Sequence, residues 1–97
     1  MTFGRVDTNG LVGINTNELD AELYEFIVKF EGTIKPVVVI REEFDLDRGD
    51  HNYRVIANHD VAYAATQARR IKPRECEMIE VMIVDADQED EVKKLFK

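Results

Sequence analysis

The chain has 97 residues, 44% of them hydrophobic and 34% charged, which fits one small globular domain with a single core and argues against disorder. Its formal net charge is −7. Nucleic-acid binders neutralise phosphates and so carry a basic footprint, which makes direct DNA binding the least favoured role for the chain as a whole.

In chain order, "GLVGIN" (Gly10–Asn15) predicts a short strand. "TNELDAELYEFIVKFEG" follows, with Leu19, Leu23, Phe26, Ile27 and Phe30 at helical spacing as one buried face. Thr16 or Asn17 caps that helix, and Gly32 suits the left-handed position past its end. "VVVI" (Val37–Ile40) is an unbroken β-branched run, as in a strand covered on both faces. The polar "REEFDLDRGDHN" holds a turn at Asp47-Arg48-Gly49-Asp50, and "YRVIA" (Tyr53–Ala57) returns as the second strand of a hairpin.

Asn58 or Asp60 caps the next helix, which runs to about Arg70 with Val61, Ala64, Ala65 and Ala68 as a narrow apolar stripe. Lys72-Pro73 ends it. "EMIEVMIVDA" predicts a further strand, with Ile79, Val81 and Ile83 facing one way and Met82 and Val84 the other. Asp85 or Asp87 caps a last helix bearing Val92, Leu95 and Phe96; it reaches the chain end, so a longer natural protein is expected. The order β-α-β-β-α-β-α predicts a mixed α/β (α+β) domain of about four strands, a single domain over residues 1–97. It is too short for a doubly wound dinucleotide fold, and no Gly-x-Gly-x-x-Gly or Gly-Lys-Ser/Thr motif is present.

No apolar run approaches the roughly 18–20 residues of a membrane span, and "MTFGRVDTNG" lacks the basic and apolar regions of a signal peptide; a soluble, cytoplasmic protein is expected. Cys76 is the only cysteine, which rules out an internal disulfide and reads as a small, partly buried side chain. His51 and His59 flank one strand, about 25 Å apart at about 3.3 Å per residue, too far to share a metal. The chain has no serine, and hence no serine nucleophile. His59 and Asp60 are the one candidate acid/base pair, although neighbours on a turn point apart and a capping aspartate beside an exposed histidine is the simpler reading. Tyr53 and Tyr63 read as packing residues, with Tyr63 near enough to the turn to line a pocket. Arg69, Arg70, Lys72 and Arg74 form a local basic cluster, which also complements the dipole of a helix C-terminus.

The centre of interest is "RVIANHDVAYAATQARR" (Arg54–Arg70): strand, tight turn, helix N-terminus, an arrangement that suits a bound phosphate. Together with "GTIKPVVVIR" (Gly32–Arg41), the polar hairpin and the strand ending "MIVDAD", it resembles the N-terminal domain of ParB-like proteins in the ParB/sulfiredoxin superfamily, from about Val12 to Val84. The resemblance implies a turn reading Gly-Glu-Arg-Arg, whose arginines hold the triphosphate of CTP, or Gly-Cys-His-Arg with a catalytic thiol. In this chain those positions are Asn58, His59, Asp60 and Val61. A carboxylate in place of a cation repels phosphate and competes for the same N–H groups. The expected role is therefore a non-catalytic interaction domain with its CTP site closed or reassigned, CTP and Mg²⁺ disfavoured and no cofactor needed.

The resemblance also implies self-association or a protein partner, a link to plasmid or chromosome partition, and DNA reached through a separate C-terminal region. The alternative is a ParB-like nuclease or nucleotide-binding enzyme using His59 and Asp60, with Arg41 or Arg69 holding phosphate beside Asn58. A third reading is direct DNA binding through Arg69, Arg70, Lys72 and Arg74.

Overall fold

The computed structural model describes residues 2–32 and 35–95. Strands β1 (Thr2–Asp7), β2 (Leu11–Val12), β3 (Val37–Asp45), β4 (Asp50–Ala57) and β5 (Met78–Val84) form one five-stranded sheet in the order β1-β5-β3-β4-β2. Helices α1 (Ala21–Phe30) and α2 (His59–Ile71) pack on one face, and the short α3 (Glu89–Leu95) on the other. The mixed α+β class is as predicted. The strand count is one higher, because β1 pairs antiparallel with β5 along its whole length. Among the described residues no helix is long and apolar enough to cross a membrane.

The β-branched run explains the layering. Val37, Val38 and Val39 are 0% exposed and Ile40 3%, so the central strand is covered on both sides. Val37 and Val39 join the core under α1 and α2 with Val55, Ile79 and Val81; Val38 and Ile40 join the smaller core under α3 with Ile56, Val84 and Val92. The two faces assigned to β5 are as predicted, with Ile83 and Met82 packed against opposite cores. Val61, Ala62, Ala64, Ala65 and Ala68 are all buried, so α2 lies close over the sheet. Leu95 is exposed, and Phe96 lies outside the described residues.

The β3–β4 hairpin turns over Leu46–Gly49, with Gly49 at φ +71° and its N–H donating to the Asp45 carbonyl at 2.9 Å. The Asp45 carboxylate accepts the N–H groups of Asp47 (2.9 Å) and Arg48 (3.3 Å), which fixes the turn.

Four local expectations are corrected. The predicted strand Gly10–Asn15 shrinks to Leu11–Val12, parallel to β4. Helix α1 starts later than predicted, capped by Asp20, whose carboxylate accepts from Glu22 N–H (3.0 Å) and Leu23 N–H (3.2 Å); Leu19 is left outside and exposed. Its buried face is Ile27 with Leu23, Tyr24 and Val28, while Phe30 is exposed and lies tilted at 42° against Phe26, 4.7 Å between ring centres. The left-handed residue past its end is Glu31 (φ 58°), one position before Gly32. Its N–H closes the last turn onto the Ile27 carbonyl at 2.8 Å.

Candidate functional site

The strand-turn-helix forms at the expected place. β4 ends at Ala57, Asn58 takes a left-handed conformation (φ 59°, ψ 43°), and α2 begins at His59. The Asn58 side chain does not cap the helix: its amide donates to the Pro36 carbonyl at 2.7 Å, clamping the turn to the start of β3. The Asn58 carbonyl accepts the first helical bond, from Ala62 N–H at 3.1 Å. Asp60 sits inside the first turn, and its carboxylate accepts the Val61 N–H at 2.9 Å. One of the free N–H groups that a phosphate would use is thus taken by the chain's own acid. Val61, at the second of the positions where the family resemblance implies arginine, is 0% exposed and part of the core.

His59 and Asp60 turn to different partners. The His59 Nδ1 accepts the Asn15 N–H at 3.1 Å, so the neutral ring carries its proton on Nε2. Burial pushes the His59 pKa below its ordinary value and nearby Lys93 adds to the shift, against the opposing pull of Asp60. The imidazole is neutral at neutral pH with Nδ1 already engaged, and only Nε2–H remains to act, as a donor.

The turn opens onto a cleft of about 690 Å³, lined among others by Asn15, Lys35, Arg54, His59, Asp60 and Lys93. Of the two expectations, a site closed or a site reassigned, the open cleft leaves the second. Among the described residues, however, each of its side-chain cations is matched. Arg54 forms a fork onto Glu89 (3.0 and 2.8 Å) and donates from Nε to Glu42 at 2.6 Å. Lys93 reaches Glu89 at 2.7 Å, and Lys35 lies 3.9 Å from Asp60. Hydrogen bonds from Arg54 and Lys93 hold the Glu89 pKa down to about 2, and the same Glu89 contact, with Glu42, raises that of Arg54. Three side-chain cations thus face three carboxylates, and the histidine is neutral. Gly13 (φ +71°) lets the chain pass over Arg54, because a Cβ there would sit 3.1 Å from the Arg54 Cγ.

The remaining candidates lie elsewhere. Arg41 is exposed opposite Tyr53 on β3, toward the hairpin, and is not among the residues lining the cleft. Arg69 is a structural tie: it pairs with Asp7, donates to Thr8 Oγ1 at 2.9 Å and reaches the Glu77 carbonyl at 3.2 Å. Lys72 donates to the Val28 carbonyl at 2.8 Å, joining the ends of α2 and α1. Of the basic cluster only Arg70 and Arg74 are exposed. His51 and His59 stand at opposite ends of β4, and the His51 Nδ1 lies 3.0 Å from the Glu42 carbonyl oxygen. Among the described residues no group of His, Cys, Asp or Glu is placed to hold a metal. Cys76 is buried, and burial raises its thiol pKa, which disfavours the reactive thiolate. Tyr53 packs in the core, and Tyr63 does not line the cleft.

Sequence reasoning found the turn and missed Arg54, Glu89, Lys35 and Lys93. The Glu89–Lys93 pair has an i,i+4 signature on the last helix. The crossing of Arg54 to Glu89 spans the fold and has no local signal. Comparison of the chain with protein-family models, curated proteins and solved structures found no match.

Proposed function

We propose that the chain is a ParB-like interaction domain that keeps the strand-turn-helix of a nucleotide site and no longer uses it for CTP. One observation carries this reading: among the described residues, every cation at the cleft is paired with a carboxylate of the same chain, so they offer a triphosphate no excess positive charge. Seating a triphosphate there means separating Arg54 from Glu89, or burying phosphate beside Asp60, and both cost free energy. The domain then works through protein contacts, with self-association or a protein partner in place of catalysis, in plasmid or chromosome partition or DNA-linked regulation.

A second reading, a nucleotide-binding or nuclease activity using His59 and Asp60, is favoured by the openness of the cleft and by Lys35 and Lys93 on its wall. Calorimetric titration with CTP, ATP and GTP in the presence of Mg²⁺ separates the two. No heat of binding up to millimolar nucleotide is the expected result. Micromolar affinity, or nuclease activity lost in His59→Ala, overturns the first reading in favour of the second.

A further inference from the structure

The sheet has two edges, and they differ. β2 is only two residues long, whereas β1 is a six-residue strand without bulge or proline, whose outer side faces no strand of the chain among the described residues. Natural edge strands of this length are usually blunted, because their outward N–H and C=O groups template pairing. The phase of those groups can be read. Thr8 N–H donates to the Glu77 carbonyl at 3.0 Å, on the same register that pairs Asp7 with Met78 and Thr2 with Ile83. Antiparallel pairs alternate, so Val6, Gly4 and Thr2 bond inward to β5, and Phe3 and Arg5 present their backbone groups outward.

The side chains make this edge self-complementary. Phe3 is opposite Met82 and Arg5 opposite Glu80, on one face of the sheet, and Phe3 is 72% exposed. We propose that β1 pairs antiparallel with β1 of a second copy, about a two-fold axis through Gly4, joining two sheets into one. This deepens the interaction-domain reading and rests on it. In that register Phe3 of one copy and Arg5 of the other exchange backbone hydrogen bonds, as does the symmetry-related pair. Each exposed aromatic ring then lies beside a guanidinium, and a row Met82–Phe3–Arg5–Glu80 crosses the junction: sulfur, ring, cation, anion. Gly4 meets Gly4 on the axis, where a Cβ would touch nothing in its own chain. A shift by two residues sets Arg5 against Arg5 or cuts the overlap to the first residues of the strand. A shift by one puts opposite faces together. Charge and backbone phase therefore select this register.

Sedimentation equilibrium of the full chain tests the pairing, with two kinds of variant. Arg5→Pro removes an outward N–H and leaves every β1–β5 bond in place. The wild type is expected to show twice the chain mass at high concentration, and Arg5→Pro the single mass with an unchanged melting profile. Gly4→Cys places thiols on the axis, in a pair with Cα atoms about 4.5 Å apart, within the disulfide range of about 4.4–6.8 Å. Mild oxidation should crosslink it, while Arg5→Cys, whose thiols lie off the axis, should stay uncrosslinked. A wild type that remains monomeric, a dimer that persists in Arg5→Pro, or crosslinking of Arg5→Cys in preference to Gly4→Cys overturns the proposal. None of these outcomes involves nucleotide, so failure here leaves the reading of the cleft to its own titration.

Discussion

Asn58 does several things at once, and each has a separate physical cause. Its positive φ is tolerated because asparagine visits the left-handed region more readily than most residues. Its amide holds the Pro36 carbonyl, and its own carbonyl starts α2. Asn58→Ala loses the side-chain bond and strains the backbone, so a loss of about 2 kcal/mol in chemical denaturation is expected. Asn58→Gly keeps the backbone and should lose only about 1 kcal/mol. Equal losses would show that the conformation, and not the bond, is immaterial. At this scale the sequence was partly legible. A polar turn before an alanine-rich helix announces itself, but whether its asparagine faces its own helix or a neighbouring strand depends on Pro36, 22 residues away. Glu31 likewise takes the left-handed position one residue before the glycine that favours it, closing α1 onto the Ile27 carbonyl.

Among the elements, α2 and α3 are held by opposite means. α2 docks through small residues, with Ala64 and Ala68 both 0% exposed. Ala68→Leu forces added methyl groups into a filled contact and should cost about 1–3 kcal/mol by thermal or chemical denaturation; a neutral result would mean that the helix can ride up from the sheet. The β-branched run and the alanine stripe were readable because each pattern is local. β1 was not, since Gly4 and Arg5 interrupt any apolar alternation and its partner lies at the other end of the chain.

α3 docks through a small core around Val92 and through the Glu89–Arg54 fork. Glu89 in the folded chain titrates near 2, below its ordinary 4.5. The unfolded state therefore takes up a proton first as pH falls. The stability that this group contributes is complete above about 4.5 and is lost on acidification toward about 2. Glu89→Gln should flatten that part of the stability–pH curve, measured by urea unfolding across the window. A curve as steep as the wild type would show that other carboxylates carry it.

At the scale of the molecule, a net charge of −7 and a neutral cleft belong to the same account. The acids are not only a solvated surface: Glu42, Glu89 and Asp60 stand against Arg54, Lys93 and Lys35 at the cleft. Composition alone disfavoured nucleic acid, yet it did not say where the charges meet. That meeting depends on a sheet that brings residues 42, 54 and 89 together. The most direct test follows the backbone amides of residues 57–63 by NMR while CTP and Mg²⁺ are added. The expected result is no saturable shift of these amides up to millimolar nucleotide. Saturation in the micromolar range, centred on His59, Asp60 and Val61, would contradict the account.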